Sequence, residues 1–354
     1  MRVLVAMSGG VDSSVAAALL VEAGEEVVGA TMKLWGGPSD TGCCSVADVE
    51  DARRVAQQLD IAHHVFNFSD EFGRRVVDRY VADHASGRTP NPCVECNRHL
   101  KFDRLLQRAR TLGFDAVATG HHARVVAGAD GQWTLRRGKD AAKDQSYVLY
   151  MLGQDQLSRV RLPIGELTKD EVRMRATDLG LRTAAKPDSQ DVCFISRAGG
   201  RQEFLGQRIE LRPAEVRDAA GTAIGSVPAI ELVTIGQRRG LGSLRSSDPD
   251  EAADRDGRRY VIDVDLAGAA VTVGPAEALL VSEVPVRDQV WVDQEPAAGA
   301  ALEVQVSAHG RTAPATWSPH GIVHLLHEPI RRVAPGQSVV LYHGDAVVGG
   351  GLAI

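Results

Sequence analysis

The heptapeptide Ser8-Gly9-Gly10-Val11-Asp12-Ser13-Ser14 constrains this chain more than any other feature. It follows an apolar run, Arg2–Met7, that reads as a strand. It opens a helical pattern, Ser13–Glu22, with Gly24 at the C-cap position. Two successive glycines let the backbone turn tightly and approach an anion with no Cβ in the way. The free amides at the helix N-terminus then face that anion, assisted by the helix dipole. Ser8, Ser13 and Ser14 can add hydroxyl donors, and Asp12 could cap the helix or hold Mg²⁺. The pattern is neither the GxxxxGK[ST] nucleotide loop nor the dinucleotide GxGxxG. Strand, glycine turn and helix in that order point to a phosphate site rather than a capped turn alone.

The same alternation continues. Val27–Lys33, His64–Phe68 and Ala116–Thr119 read as strands. Val46–Leu59, Asp70–His84 and Leu100–Leu112 read as helices. Apolar strands separated by helices imply a parallel sheet covered on both faces, with a ligand at the C-terminal strand ends. After about residue 200 the pattern changes to short alternating runs between turn residues. These are Arg259–Val264, Ala270–Val273, Gln289–Val292, Leu302–Val306 and Val339–His343. They predict two small β-rich modules, with a boundary near residue 280. The polar stretch Ser246–Gly257 reads as a mobile loop.

Composition excludes several classes. At 44% hydrophobic and 24% charged residues, the 354-residue chain matches an ordinary globular protein of about two or three domains. It has no uncharged apolar run of the ~18–20 residues that a membrane span needs. The start of the chain reads as a buried strand rather than a signal peptide, so the expected location is the cytoplasm. The net charge of −6 excludes a uniformly basic nucleic-acid coat. Asn91–Lys143 nevertheless carries a net +5, a local basic region able to dock a polyanion.

Five cysteines are too few for a disulfide scaffold. Asn91-Pro92-Cys93-Val94-Glu95-Cys96-Asn97 heads the basic region. Its prolyl and polar flanks suggest an exposed loop just before the Leu100 helix. A thiol beside a helix N-terminus and cations (Arg98, His99, Lys101) becomes a better sulfur nucleophile. A third cysteine, Cys193, lies in Asp188–Ile195, and two such thiols could pass a sulfur by exchange. Cys43-Cys44 reads as structural, and His63-His64 as strand residues without metal-ligand spacing. Trp35 reads either as a neighbour of the nucleotide edge or as ordinary core.

SGGVDSS resembles the PP-loop of the ATP pyrophosphatases. With the cysteine segments, the whole chain resembles the tRNA-specific 2-thiouridylase family. The matching pieces run in order: SGGVDSS, Gly29–Trp35, NPCVECNRHLKF, ATGHHAR, KDQSYVLY, KPDSQDVCFI, IGQRRGLG and APGQSVVLY. The resemblance implies a PP-loop catalytic domain over 1–200, a small central tRNA-binding domain over 201–280 and a C-terminal β-barrel over 281–354. It implies ATP-dependent 2-thiolation of the wobble uridine. Ala6, Met7, Ser8, Gly9, Gly10, Val11, Asp12, Ser13, Met32 and Gly120 would hold ATP, with Mg²⁺. Cys96 would be the nucleophile, and Cys193 would carry a persulfide received from a cysteine desulfurase or sulfur-relay protein. Asn91, Pro92 and Cys93 would line the target-base pocket. His121, Lys143, Asp144, Gln145 and Gln337 would contact tRNA.

Two positions depart from the family. Many members carry Asp at the position of Cys93, where it has been considered a general acid/base. In the barrel an Arg-Tyr pair is replaced by Gln305-Val306-Ser307-Ala308-His309, and Arg311 could substitute. Cysteine at position 93 leaves open a second mechanism, in which Cys93, Cys96 and Cys193 hold a [4Fe–4S] cluster. Further alternatives are a PP-loop ligase acting on a small metabolite and a non-catalytic RNA-binding or sulfur-carrier protein.

Overall fold

The computed structural model describes residues 1–35, 45–188, 192–196, 199–242, 244 and 258–354. Cys43-Cys44 and the stretch Ser246–Gly257 lie outside the described residues. The chain begins with β1 (Arg2–Ala6), α1 (Val11–Glu22), β2 (Glu26–Lys33), α2 (Val46–Gln58) and β3 (Ala62–Asn67). Helical segments α3 (69–85) and α4 (92–111) follow, and then β4 (Ala116–Thr119). A hairpin, β5 (Ala123–Ala127) and β6 (Trp133–Arg137), precedes β7 (Val160–Arg161) and α5 (Lys169–Asp178).

Strands β1, β2, β3, β4 and β7 form one parallel sheet in the order β3-β2-β1-β4-β7. The reason is visible in β1. Val3, Leu4 and Val5 are all fully buried, so the strand is covered on both sides. Leu4 packs with Phe72 and Leu100, from α3 and α4. Val3 and Val5 face the other way, onto Val15, Val55 and Val172 from α1, α2 and α5. A strand with helices on both faces must be apolar at successive positions. The chain leaves β1 for β2 on one side and later returns to place β4 on the other. The crevice between β1 and β4 is therefore the topological switch point where such sheets bind ligands.

Beyond the sheet, strands Ala214–Arg217, Ala223–Val227, Tyr260–Asp265 and Ala270–Gly274 form a small mixed sheet. Six strands from Glu283–Trp291 to Ala346–Ala353 close into a barrel, because the first and last also pair with each other. Trp317, 2% exposed, stands edge-on to Trp291 within this barrel at 5.0 Å between ring centroids.

The β5–β6 hairpin is a departure from the expected plan. It lies in the N-terminal part of the chain yet extends the barrel's sheet, with Arg136 opposite Ala346. Arg124 and Arg136 both reach Asp345, at 2.7 and 2.8 Å. β5 reads Ala-Arg-Val-Val-Ala without alternation, and the alternation of β6, Trp133-Thr134-Leu135-Arg136, is too short to stand out in the sequence. Around it an apolar cluster joins Phe102, Leu135, Tyr147 and Tyr150 to Val340, Tyr342 and Val347 of the barrel. The Tyr147 hydroxyl donates to the Ser338 carbonyl at 2.7 Å, and the Arg137 guanidinium lies 3.7 Å from the centre of the Tyr342 ring. The Tyr147→Phe change removes one buried hydrogen bond across this junction. It should lower the free energy of unfolding by about 1 kcal/mol, measured by chemical denaturation, with little change in shape by small-angle scattering.

Candidate active site

The site is built where β1 and β4 end. Gly10 is the N-cap of α1 in an extended conformation, with no side chain capping the helix. Asp12 therefore does not serve as the cap. The first amides of α1 have no preceding helical carbonyl to pair with, which is the arrangement that receives phosphate oxygens. Ser13 Oγ donates to the Gly10 carbonyl at 3.1 Å and accepts from the Ser8 amide at 3.2 Å, fixing the turn. Two glycines make the approach possible. Gly9 has φ +71°, and a Cβ there would lie 2.2 Å from the Asp48 carbonyl oxygen. A Cβ on Gly120, just after β4, would lie 2.5 Å from the Ser13 amide nitrogen.

Asp12 is instead one end of a charge network. Its two carboxylate oxygens receive Lys169 Nζ at 2.7 and 2.8 Å, and His122 Nε2 stands 3.3 Å away. Burial pushes the Asp12 carboxyl up, but the bonds from His122 and Lys169 outweigh this and hold it below the usual range. Lys169 also reaches Asp188 Oδ1 at 2.8 Å. Asp188 takes two further cations, Lys143 at 2.8 Å and Arg173 at 2.9 Å. Burial raises the Asp188 carboxyl, and its bonds to Lys143 and Lys169 bring it down to about 2. Lys186 binds the Gly9 carbonyl at 2.9 Å together with Asp48 and Asp51 at 2.6 and 2.8 Å.

Sequence reasoning assigned no role to Lys169, Lys186 or Asp188. One signal was present for the first of them. Thr168 and Glu171 form a capping box, which places Lys169 in the first turn of α5. A cation there opposes the helix dipole and implies carboxylate partners elsewhere.

Cys93 and Cys96 lie in the opening turns of α4 rather than in the expected loop. Asn91 is the N-cap, accepting the Cys93 amide at 3.0 Å, and Pro92 occupies the first turn, where its missing N–H costs nothing. The sequence reading placed the start too late because two π-helical turns over Asn97–Arg104 blur the helical period. Cys93 is exposed, and Cys96 is half-buried. Between them Glu95 is buried, 3.1 Å from Arg79 and 3.2 Å from His99. Burial raises its carboxyl, while His99, Arg79 and Arg98 hold it ionised below the usual range. Val94 enters the cluster shared with the barrel, whereas Cys96 packs against the core between β1 and helices α3 and α4. Cys193 packs against that same core cluster, which also contains Met32 and Phe194. Trp35 is among those aromatic rings, 6.3 Å from both Phe72 and Phe194, in a core setting.

The remaining expected residues occupy varied settings. His121 is buried between Thr119 (2.6 Å) and Lys101 (3.3 Å), and burial, with the Lys101 charge, pushes its imidazole well below the ordinary range. Asp144 is buried and accepts the Gly138 and Ser146 amides at 2.9 and 3.1 Å and Arg137 at 2.9 Å. Gln145 pairs with the His122 backbone. Lys143 is half-buried, with its ammonium on Asp188. The Gln337 amide donates to the Thr89 carbonyl, tying the barrel to the segment that leads into Asn91. Gln305, at the position of the replaced Arg-Tyr pair, is 2% exposed and binds Arg137 at 2.8 Å. It is part of the interior.

Asp12 is an ionised hard oxygen donor beside the phosphate loop, and this fits Mg²⁺ arriving with a triphosphate, which needs few protein ligands. Among the described residues no three His, Cys, Asp or Glu side chains converge as a metal-binding group. Also among the described residues, no helix is long and apolar enough to cross a membrane.

Comparison with known proteins bears directly on this arrangement. The family described as "tRNA methyl transferase HUP domain" matches residues 1–197, and "Aminomethyltransferase beta-barrel domain" matches residues 281–353. The chain is 48% identical over 360 residues to the tRNA-specific 2-thiouridylase MnmA of Chloroflexus aurantiacus, covering 99% of this chain and 97% of that one. The chain belongs to the tRNA-specific 2-thiouridylase family. The 2-thiouridylase of Beutenbergia cavernae is similar at 47% identity, over 99% of this chain and 93% of its own. Among solved structures, the U34-tRNA thiolase NcsA from Methanococcus maripaludis with its [4Fe-4S] cluster overlaps 54% of this chain and 61% of its own. That likeness has 18% identity and a TM-score of 0.38.

The network gives a pH signature. The Asp188 carboxyl falls from 3.8 to about 2 in the folded chain. Its stabilisation is therefore fully present above about pH 4 and is lost as pH falls through about 2. The native protein should lose more thermal stability than Asp188→Asn between about pH 5 and pH 2. Parallel melting curves across that range would show that the pairs contribute nothing.

Proposed function

We propose that this chain catalyses ATP-dependent 2-thiolation of the wobble uridine of tRNA, with sulfur carried as a persulfide on Cys193. The observation that carries the reading is the meeting of three distant segments on one core cluster. These are the end of β2 with Met32, the start of α4 with Cys96, and the segment of Cys193. A phosphate loop lies at the adjoining strand ends. A small-metabolite ligase would need the loop but neither cysteine.

The chemistry follows from the residues. The uridine C2 carbonyl is a poor electrophile. Its oxygen attacks the ATP α-phosphorus, the α–β phosphoanhydride bond breaks, and pyrophosphate leaves. The amides of Gly9 to Ser13 meet the phosphate charge, and Asp12 would hold Mg²⁺, which supplies further charge neutralisation. The terminal persulfide sulfur on Cys193 attacks C2, and AMP departs with the former O2. The Cys96 thiolate then attacks Cys193 Sγ. The S–S bond breaks, its electron pair stays on the sulfur at C2, and a Cys96–Cys193 disulfide forms. An external thiol reductant resets the pair. A wobble base in a flexible loop can be extruded to reach the site.

In this reading Asn91, Pro92 and Cys93 line the base pocket, while Ala6–Ser13, Met32 and Gly120 frame the nucleotide. His121, Lys143–Gln145 and Gln337 belong to the tRNA-facing side. Residues 1–200 carry the chemistry, and 201–280 and 281–354 grip the tRNA. The sulfur donor is a cysteine desulfurase or a relay protein, and the enzyme works in the cytoplasm.

Nucleoside mass spectrometry tests the reading. Unmodified tRNA is incubated with metal-free protein, ATP, Mg²⁺, a thiol reductant and a cysteine desulfurase with cysteine. The native chain and Cys93→Ser should form 2-thiouridine, with tRNA-dependent pyrophosphate release. Cys96→Ser and Cys193→Ser should lose activity on the order of a thousandfold or more. Formation only after iron is restored, with all three variants inactive, would replace the persulfide route by a cluster route.

A further inference from the structure

Just ahead of the cysteines, one residue is held from two sides. Thr89 lies on the strap between α3 and α4, two residues before the Asn91 cap. Its amide donates to the Pro335 carbonyl at 2.7 Å, and its carbonyl accepts the side-chain amide of Gln337. The turn that supplies both partners is fixed to the last barrel strand, because the Gly336 amide donates to the Ala353 carbonyl at 3.0 Å and the Ala353 amide to the Gln337 carbonyl at 2.9 Å. Gly336 has φ +87°, and a Cβ there would lie 3.1 Å from the Arg88 Cβ, so the turn closes directly on the strap. From the other side, the Thr89 hydroxyl stands 3.2 Å from that of Thr234, which lies between the central strands Ala223–Val227 and Tyr260–Asp265.

The link from Thr89 onward is stiff. Thr89-Pro90-Asn91-Pro92 carries two prolines, whose rings fix φ and keep the residue before each of them extended. Asn91 is accordingly extended, at φ −102° and ψ 101°, while its side chain caps the Cys93 amide. The placement of Thr89 is therefore passed to the first turn of α4 by covalent geometry. Val94 seats the same turn on the apolar cluster shared with the barrel. The bonds at Thr89 thus set the orientation of the turn rather than its attachment.

We propose that Gln337 is a positioning residue for the thiolation: through the Thr89 carbonyl it orients the turn that carries Asn91, Pro92, Cys93 and Cys96. This rests on the functional reading above and deepens it, because Gln337 then serves the tRNA-facing side from within the protein rather than by touching tRNA. Reacting groups must meet within a narrow range of distance and angle, so a small tilt of this turn slows the chemistry without weakening tRNA binding. Without the Gln337 amide, the Pro335 bond and the Val94 contact persist. The loss is therefore graded, and Thr234 contributes to the same orientation from the other side.

The test uses the full-length chain with Gln337→Met, which keeps the side-chain length and removes the donor, with Thr234→Val, and with both changes together. Deuterium uptake over residues 86–97 is followed without tRNA, and 2-thiouridine formation is followed against tRNA concentration. Gln337→Met should speed that uptake several-fold and lower kcat about tenfold, with KM for tRNA within about twofold of the native value. Thr234→Val should act in the same direction more weakly, and the double variant should exceed either. Uptake over residues 2–22 should stay as in the native chain. A KM raised about tenfold with kcat and uptake unchanged would make Gln337 a tRNA contact and overturn the positioning role. Uptake that rises equally over residues 2–22, or kinetics and uptake that do not change, would overturn it as well. A native chain that forms no 2-thiouridine overturns the functional reading, while uptake in the tRNA-free protein still decides whether Gln337 orients the turn.

Discussion

The structure depends on a contact with no room to spare. The first turn of α1 lies against Gly120 so closely that a single added methyl would sit 2.5 Å from the Ser13 amide nitrogen. This contact joins the ends of β1 and β4, the two central strands between which the chain reverses its winding direction. Gly9 meets α2 with similar closeness on the other side. The phosphate loop is thus pressed between two backbones, and its amides are aimed before any ligand arrives. Preorganised dipoles of this kind need no rearrangement when charge develops on a phosphate.

Around that loop the charges are arranged in bridges rather than isolated pairs. Asp12, Lys169, Asp188, Lys143 and Arg173 form one chain of contacts; Gly9, Lys186, Asp48 and Asp51 form another. Each bridge spans segments far apart in sequence. Their value lies less in stability, since partly exposed pairs are worth little, than in fixing where these segments sit relative to one another. Glu95 plays the corresponding part at the cysteines. Its burial among Arg79, Arg98 and His99 fixes the turn that separates Cys93 from Cys96.

Much of this was legible in the sequence. The strand–glycine–helix pattern locates the phosphate loop, and fully apolar β1 identifies a sheet covered on both faces. The alternating runs after residue 200 locate β-rich modules, although the hairpin Ala123–Arg137 escapes because its first strand does not alternate and its second alternates over only four residues. The start of α4 escapes for a different reason. Asn-Pro reads equally as a loop or as a cap followed by a first-turn proline, and the π-helical turns beyond it disturb the spacing. Lys169 escapes because its partners are set by tertiary folding alone. Nothing local to Thr168-Lys169-Asp170-Glu171 reveals Asp12 or Asp188.

The borrowed hairpin brings the barrel's sheet close to the phosphate crevice. Its first strand starts at Ala123, while β4 ends at Thr119, so residues 120–122 alone separate the barrel's extended sheet from the phosphate crevice. Those residues include Gly120, which bounds the crevice, and His122, which stands beside Asp12. The hairpin meets the barrel at a single bridged pair, Arg136 with Ala346, reinforced by the contacts of Arg124 and Arg136 with Asp345. The barrel is therefore joined to the N-terminal part of the chain by a narrow seam over a shared apolar cluster, not by its linker alone. A foreign barrel grafted onto this N-terminal part would have to reproduce the seam at Arg136 and Asp345 to keep the same docking.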